Sequence, residues 1–272
     1  MHFKKEFIIT LSLAIMLISR IYFEIKTIDI DKISVKTKKI PQNKEFKIVH
    51  ISDLHNKKLP NNSINLLDDI MKLNPNIIAL TGDIIDAKTR DFDNIYNFLD
   101  NLIKINKNIY YVSGNHEWKN PKNQQFIKGL KNRKVKIINN TNRIIKCKDF
   151  SINICGIDDP YTNHENIDKA FNSIDNNNFT LLLSHSPDII FKPYNLNCDL
   201  IICGHTHGGQ IRFPFLGAII APGQGFFPKY DKGIFELERN LLLYINSGLG
   251  TSRMPIRFLN KSQISFITLT GE

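Results

Sequence analysis

Cysteine is scarce in this sequence, with four residues among 272, at positions 147, 155, 198 and 203. None of them forms a Cys-x-x-Cys pair, so neither a disulfide-stapled small domain nor a cysteine-based zinc site is expected. Blocks of five consecutive basic residues are also missing, although the formal net charge is +10. We therefore expect a solvated basic surface and no specific nucleic-acid partner, with a site for an anionic lipid or wall polymer as the alternative.

Only one long apolar stretch is present, and it lies at the N-terminus. Residues 7–19 carry no charge, and continuing to Phe23 gives about 26 Å of helix. Basic residues precede the stretch, as in signal sequences, but no small-x-small cleavage site follows it. We expect residues 1–25 to be an uncleaved signal anchor, with a buried or interfacial helix as the alternative. Basic residues flank both ends, so charge does not decide which side of the membrane the rest faces.

Short apolar runs alternate with amphipathic stretches from residue 45 onward. The runs are rich in β-branched and aromatic residues, as buried strands are, and cover 46–52, 76–82, 108–114, 179–184 and 199–204. Two intervening stretches repeat apolar residues at helical spacing, namely Ile64, Leu67, Ile70 and Met71, then Phe92, Ile95, Phe98, Leu99 and Leu102. This alternation predicts an α/β fold with one domain over 45–272, preceded by a linker or lead-in strand over 26–44.

Side chains that can bind metals follow directly after each of these five runs. They are Asp53 and His55, Asp83, Asn115 and His116, His185, and finally His205 and His207. Because ligands of α/β sheets bind beyond the carboxyl ends of the strands, these side chains are expected to converge. A single histidine at a strand end is usually a hydrogen-bonded structural residue, but accidental convergence of the whole set is improbable.

The donor atoms of this set are carboxylate oxygens, an amide oxygen and imidazole nitrogens, without any thiolate. Such donors suit Mn, Fe or Zn better than copper(I) or an iron–sulfur cluster. The set is too large for one tetrahedral ion that keeps an open position. It is sufficient for two divalent metal ions that share a carboxylate, as in dinuclear phosphatases and nucleases.

The same residues form five motifs in a fixed order. The motifs are Asp53-x-His55, Gly82-Asp83-x-x-Asp86, Gly114-Asn115-His116-Glu117, His185 and Gly204-His205-x-His207. Together they resemble the calcineurin-like metallophosphoesterase family. The stretches GHTHGGQIRFP and NSGLGTSRMPIRF are similar to its branch of membrane-anchored or exported bacterial phosphodiesterases. The resemblance implies an αββα fold, in which two mixed β-sheets pack as a sandwich flanked by helices.

The resemblance also implies seven metal ligands in two groups that share one carboxylate. The ligands would be Asp53, His55 and His207 for the first metal, Asn115, His185 and His205 for the second, and Asp83 as the bridge. His116 would be the catalytic general acid, which protonates the leaving oxygen while a metal-bridging hydroxide attacks phosphorus in line. Asp86 would cap the next turn or orient a ligand, and Asn56 and Glu117 would support the site from behind the ligands.

We therefore expect a metal-dependent phosphoric ester hydrolase, specifically a phosphodiesterase. Its substrate would be a phosphate ester of lipid-like, nucleotide or wall-polymer type. A single N-terminal span would hold it in the cell membrane, with the catalytic domain outside the cytoplasm. A non-catalytic interaction scaffold on the same fold and a nuclease are the alternatives, and the sequence leaves the oligomeric state open.

Residues 211–230 are unusually apolar for a segment with several prolines and glycines. Ile219, Ile220, Phe226 and Phe227 could form an exposed lip that enters lipid or receives an acyl chain, or a hairpin could bury them against the core. Further possible phosphate contacts are Arg212, Lys229, Arg253 and Arg257. His50 and His164 belong to no motif and are expected to be structural or surface residues.

Overall fold

Two six-stranded mixed sheets form the centre of this computed structural model, which describes residues 2–58, 63–251 and 255–272. The strands within these residues are, in chain order, β1 Ile28–Thr37, β2 Glu45–Ile51, β3 Ile77–Thr81, β4 Ile109–Val112, β5 Lys136–Ile137, β6 Thr141–Lys146, β7 Ser151–Gly156, β8 Phe179–Leu183, β9 Leu200–Cys203, β10 Arg212–Phe213, β11 Gly217–Ala218, β12 Ile220–Ala221, β13 Gly225–Phe226, β14 Gly233–Glu236, β15 Leu242–Ile245 and β16 Ser262–Gly271.

The strand order of the first sheet is β1-β16-β2-β3-β4-β5, and that of the second is β14-β15-β9-β8-β7-β6. Strands β2, β3 and β4 are parallel neighbours, as are β7, β8 and β9, so their carboxyl ends lie along common edges. The segment 26–44 contains β1, which pairs in parallel with the C-terminal strand β16 over its whole length. Residues 212–226 form two small antiparallel hairpins outside both sheets.

Within the described residues the helices are α1 His2–Lys26, α2 Ser63–Leu73, α3 Asp93–Ile105, α4 Asn115–Lys119, α5 Asn123–Asn132 and α6 Ile167–Ala170, and four 3₁₀ turns lie at Pro160–Thr162, Pro187–Phe191, His207–Gly209 and Glu238–Asn240. Helices α2, α3 and α5 pack on the first sheet through one apolar cluster. The predicted fold of two mixed sheets in a sandwich flanked by helices is confirmed.

Alternation along the strands produces the layers. In β3, Ile77 and Ala79 point into the cluster between the two sheets, whereas Ile78 and Leu80 face the helices outside. Strand β9 alternates in the same way, with Leu200 inside the sandwich. Because both faces of these strands are covered, their sequences are continuous apolar runs, which is why the runs predicted the strands well.

The predicted helices of residues 64–71 and 92–102 are confirmed as α2 and α3. The predicted buried face of α2 is partly wrong, because Met71 is exposed while Leu66 and Ile70 are buried. The face of α2 that contacts the sheet therefore includes Leu66 and excludes Met71, unlike the face that we expected. The side chain of Ile64 lies outside the described residues.

The N-terminal helix α1 contacts the sandwich near its C-terminal end. Within α1, residues 4–26 are long and apolar enough to cross a membrane, and almost none of their surface is buried. Near its C-terminal end, Glu24 is buried, pairs with Arg20 at 2.5 Å and accepts a hydrogen bond from the backbone N–H of Asn260 at 3.1 Å.

Candidate metal centre

The side chains that the sequence places after five strands meet between the two sheets. Asp53, Asp83 and Asn115 follow β2, β3 and β4 of the first sheet. His185 follows β8 of the second sheet, and His205 and His207 follow β9. All eight predicted site residues lie in this one region, where their donor atoms fall into groups within 4.8 Å or contact a member of such a group.

The first group consists of Asp53, His55 and His207. The two Nε2 atoms of His55 and His207 are 3.2 Å apart, and His207 Nε2 lies 3.5 Å from Asp53 Oδ1. His55 Nε2 also lies 3.7 Å from Asp83 Oδ2. Ligands about 2.1 Å from a common cation are separated by roughly 3.0–3.5 Å, so these spacings fit a metal ion.

The second group is built around His185, whose ring is completely buried. Its Nε2 lies 3.3 Å from Asp83 Oδ2, 3.3 Å from Asn115 Oδ1 and 3.1 Å from His205 Nδ1. Its Nδ1 donates to the carbonyl of Thr81 at 2.8 Å. That hydrogen bond fixes the ring orientation and directs Nε2 into the group, as for histidines that bind metals.

The electrostatics of the two groups are compatible with bound cations. Burial lowers the pKa of His205 to about 3 and that of His55 to about 4, so both rings are neutral with lone pairs available. Burial raises the pKa of Asp53 to about 6 in the absence of metal. Two divalent cations would satisfy the facing imidazole lone pairs and stabilise the buried carboxylates, so these residues fit metal ions.

Asp83 stands between the groups and contacts both. Burial acts to raise its pKa, but the charge and hydrogen bond of His185 outweigh burial and bring the pKa well below the usual range. Asp83 is therefore ionised, and its Oδ2 faces histidines of both groups. This is the position that a bridging carboxylate would take.

A strained backbone conformation occurs at five of the candidate site residues, and also at twelve other non-glycine residues among those that the structure describes. Left-handed φ angles between 49° and 69° occur at Asp53, His55, Asp83, His205 and His207. Non-glycine residues adopt this conformation rarely and at a cost of about 1 kcal/mol or more, and such strain clusters at functional sites. The surrounding structure therefore holds these five residues in this conformation despite its energetic cost.

Glycine allows the first-sheet loops to come close together. Gly82 has φ +78°, and a Cβ atom there would lie 2.6 Å from the backbone nitrogen of Gly114. Glu117, on α4, holds the two loops from behind, because its carboxylate accepts hydrogen bonds at 2.8 Å from the N–H groups of Asp83, Ile84 and Gly114.

His116 lies beside the first group with 19% of its side chain exposed, so a substrate can reach it. Its Nδ1 accepts the backbone N–H of Ala87 at 3.2 Å and lies 3.3 Å from Asp86 Oδ2. Its Nε2 faces the cluster, 4.0 Å from Asp83 Oδ2. Asp86 also accepts the N–H of Lys88 at 2.8 Å, so it both caps the turn and contacts His116.

Other predicted residues have structural positions. Arg257 is completely buried, and its guanidinium donates to backbone carbonyls that include Ser247 and Gly248, so it is not free to contact phosphate. Arg212 pairs with Asp231 at 2.7 Å. Lys229 is exposed, and Arg253 lies outside the described residues.

The remaining predicted residues do not approach the donor groups with their side chains. His50 is buried with its Nε2 2.7 Å from Thr81 Oγ1, and His164 stacks on Trp118 with ring centroids 3.6 Å apart. Asn56 contributes its backbone, donating to the carbonyl of Ile84 at 3.0 Å. These positions agree with structural or supporting roles.

Sequence reasoning missed two groups of residues around the cluster. The ring of Tyr161 packs on His205 at 4.7 Å, and Lys119 lies over Tyr161 at 5.6 Å, which gives one rim an aromatic and cationic surface. Asn260 donates to the carbonyl of His207 at 2.7 Å. Lys119 lies two residues after the Gly-Asn-His-Glu motif and could have been noticed. The contacts of Tyr161 with His205 and of Asn260 with His207 join residues that are distant in sequence.

A large surface groove lies apart from this cluster. It has a volume of about 1180 Å³ and is lined by residues of 190–199, 229–230 and 236–241, none of which is a candidate ligand. Its size alone does not make it the functional site, because the convergent donor atoms lie elsewhere.

Comparison with known proteins gives the family. The calcineurin-like phosphoesterase family matches residues 46–209. The chain is 30% identical to the uncharacterized metallophosphoesterase YkoQ of Bacillus subtilis, covering 96% of this chain and 98% of the relative. It is also 30% identical to the uncharacterized metallophosphoesterase YkuE of the same organism, covering 91% of this chain and 87% of the relative.

A solved structure shares the fold. The NAD nucleotidase NadN of Haemophilus influenzae superposes with a TM-score of 0.53 at 16% identity, over 76% of this chain and 46% of that chain. At this identity the likeness concerns the fold alone. From the sequence matches, this chain belongs to the calcineurin-like phosphoesterase family, whose members are metal-dependent phosphoric ester hydrolases.

Proposed function

We propose that this protein is a phosphodiesterase with a dinuclear metal centre, tethered to the cell membrane by α1. The observation that carries the proposal is the division of the donor atoms into two groups that share Asp83. One group would hold the first metal through Asp53, His55 and His207. The other would hold the second metal through Asn115, His185 and His205.

The donor set suits Mn, Fe or Zn, because it combines imidazole nitrogens with carboxylate and amide oxygens. Two such cations would supply Lewis acidity toward the phosphate oxygens and would lower the pKa of water at the site. Asp83 holds the two groups at a fixed spacing. The hydrogen bonds from His185 Nδ1 to the carbonyl of Thr81 and from the N–H of His205 to Asp53 orient the ligands before substrate arrives.

His116 is proposed as the general acid. Because its Nδ1 accepts the N–H of Ala87, the proton of the neutral ring resides on Nε2, which faces the cluster. To act as an acid the ring would first take up a second proton at Nδ1, which would face Asp86 Oδ2 at 3.3 Å in place of the Ala87 contact. A leaving alkoxide would then take the proton on Nε2, and the neutral ring would remain.

The membrane tether is proposed from α1. Its candidate span, residues 4–26, is about 34 Å long at ~1.5 Å per residue, enough for the hydrocarbon core of a bilayer. Residues 1–25 would form the anchor, 26–44 the lead-in segment and 45–272 the catalytic domain outside the cytoplasm. The substrate would be a lipid-like, nucleotide or wall-polymer phosphodiester.

The proposal is tested with the full chain in detergent. Hydrolysis of bis(p-nitrophenyl) phosphate and of p-nitrophenyl phosphate is measured after chelation and again after adding Mn²⁺, beside the variant Asp83→Asn. We expect Mn²⁺ to restore activity in the parent only, with the diester preferred, and metal analysis to show two ions per chain lost in the variant.

Three outcomes would contradict parts of the proposal. A preference for the monoester would make the protein a phosphomonoesterase. If two metals are bound but neither nitrophenyl ester is hydrolysed, these generic esters are not substrates of the protein. Absence of both metal and activity would leave a non-catalytic scaffold as the better interpretation.

A further inference from the structure

The two hairpins that follow the metal centre carry an exposed apolar surface. We call residues 212–227 the hairpin lip; it comprises β10–β11 and β12–β13. Phe215 is fully exposed, and Phe226 is 74% and Phe227 66% exposed. Leu216 and Ile220 add to this surface. The alternative in which these side chains pack into the core is therefore wrong for Phe226, Phe227 and Ile220.

The root of the lip is fixed against the metal centre. Ala218 packs so closely on Gly209 that a Cβ atom on this glycine could not be accommodated. Arg212 donates to the carbonyl of Gly208 at 3.0 Å and to Asp231 at 2.7 Å. Since Gly208 directly follows the candidate ligand His207, the root of the lip is attached next to the metal centre.

The last turn of α1 reaches the same place through Asn260. The backbone N–H of Asn260 donates to Glu24 at 3.1 Å, and its side chain donates to the carbonyl of His207 at 2.7 Å. A single residue thus connects the helix to the metal centre. Lys57 strengthens this junction by donating to the carbonyl of Ile25 at 2.8 Å.

The lip and the helix end also contact the same short segment, residues 258–260. The backbone N–H of Arg212 donates to the carbonyl of Phe258 at 3.0 Å, and the rings of Phe213 and Phe258 are 6.2 Å apart. Phe258 precedes Asn260 by two residues, so their Cα atoms are at most about 7.6 Å apart. The apolar lip and the end of α1 are therefore both held by residues 258–260.

The side chains around this junction match a membrane surface. Tyr22 and Phe23 are exposed on the last turns of α1, where aromatic residues mark the interface of a span. Lys26 lies at the helix end, and Lys261 stands over the ring of Phe23 at 5.7 Å. Basic residues beside apolar side chains favour an anionic lipid surface over a second copy of this equally basic chain.

From these contacts we infer that the hairpin lip rests in the lipid beside the anchor and that the metal centre takes a phosphate ester held in the membrane surface. This inference rests on the proposed tether and phosphodiesterase activity. The entrance beside His207 would open at the height of the lipid headgroups. The substrate would then be the phosphodiester of an amphiphile, and its apolar part would stay in the bilayer.

The position of the lip is tested by fluorescence of the full chain in vesicles of phosphatidylcholine and phosphatidylglycerol. Phe215→Trp is compared with Ile144→Trp, an exposed position on edge strand β6, three strands from β9. Both variants retain Trp118, so the parent chain supplies the background. We expect brominated lipids to quench the tryptophan at position 215 and to leave that at position 144 unchanged.

Equal quenching at the two positions, or none at position 215, would overturn the lip contact. This readout does not need catalysis, so it stands even if the proposed activity fails. Quenching of the tryptophan at position 215 could also appear only after the chain is diluted in lipid, which separates its copies. That result would show that a second copy covers the lip instead of lipid.

The substrate class is tested by activity. The p-nitrophenyl ester of phosphatidic acid in vesicles is compared with soluble bis(p-nitrophenyl) phosphate, because the leaving group is the same. In Phe215→Ser/Phe226→Ser we expect the ratio of vesicle to soluble hydrolysis to fall at least tenfold, and in Ile144→Ser to stay unchanged. An unchanged ratio in the lip variant would overturn the inference, whereas loss of both activities in the parent would refute the proposed function.

Discussion

At the scale of single residues, the proton of His116 is positioned by the backbone. The N–H of Ala87 occupies Nδ1, so the transferable proton points toward the cluster from Nε2. We predict that His116→Gln lowers kcat by about 10²–10⁴ and leaves metal content unchanged. The loss should be larger for a diester with an alkoxide leaving group than for one with nitrophenolate, because only the former needs a proton.

The measurement is kcat for both leaving groups together with metal analysis of the purified variant. An equal loss for both leaving groups would exclude proton donation by His116. Loss of a metal ion would instead show that His116 is a ligand. The geometry permits this role, because a nitrogen of His116 lies within 4.8 Å of donor atoms of His55 and Asp83.

A second residue, His50, makes stability depend on pH. It is buried beside Thr81, and burial lowers its pKa to about 3. The unfolded chain, with a histidine pKa of about 6.5, therefore binds more protons between these values, so stability rises with pH across this window. Each pH unit below 6.5 should cost about 1.4 kcal/mol of unfolding free energy.

Urea unfolding of the parent and His50→Gln between pH 7.5 and 5 checks this effect. Glutamine can still hydrogen-bond to Thr81 but does not titrate in this range. We expect the pH slope of the unfolding free energy to be smaller by about one proton in the variant. Identical slopes would show that His50 is protonated without unfolding.

At the scale of elements, the short helix α4 braces the ends of β3 and β4. Its Glu117 accepts backbone hydrogen bonds from loops that follow both strands, and burial raises the pKa of this carboxyl to about 7. In Glu117→Gln, an amide NH₂ would face backbone donors. We predict that this change lowers metal affinity by roughly 10–100-fold, because the loops carrying Asp83 and Asn115 lose their spacing.

Metal titration of the chelated chain measures this affinity. His116→Gln is the matched control, because residue 116 lies next to Glu117 in the same helix. We expect this variant to bind metal as tightly as the parent. Equal affinities of Glu117→Gln and the parent would show that the strand ends hold the ligands without the helix.

The strands and the donor residues could be predicted because both are local in sequence. Continuous apolar runs mark β2, β3, β4, β8 and β9, and polar side chains follow each run at once. Non-local pairings could not be predicted in this way. The parallel pairing of β1 with β16 joins the two ends of the chain, and neither strand carries a sign of its partner.

The surroundings of the site show the same limit. The contact of Asn260 with His207 spans 53 residues, and Tyr161 packs on His205 from a turn with no motif. The sequence also does not decide whether Phe226 is exposed, because an apolar segment can either pack into the core or form an exposed apolar surface. Such contacts depend on how the two sheets dock, which composition and periodicity do not specify.

At the scale of the whole molecule, the metal centre joins the two sheets of the sandwich. Asp53, Asp83 and Asn115 extend from the first sheet, and His185, His205 and His207 extend from the second. Metals held by both sets would bind only the assembled sandwich, and by mass action they stabilise it by about 4 kcal/mol at 1,000 times the dissociation constant.

We predict that chelation lowers the melting temperature by roughly 10 °C, since about 1 kcal/mol corresponds to 2–4 °C for a chain near this length. The transition should stay single, because both sheets lose the same connection. Asp83→Asn should melt low with or without Mn²⁺, whereas His116→Gln should regain the full shift when Mn²⁺ is added. If chelation left the melting temperature unchanged, or split the transition into two, the metals would stabilise one group of loops only. The docking of the two sheets would then depend on the apolar cluster between them rather than on the centre that they share.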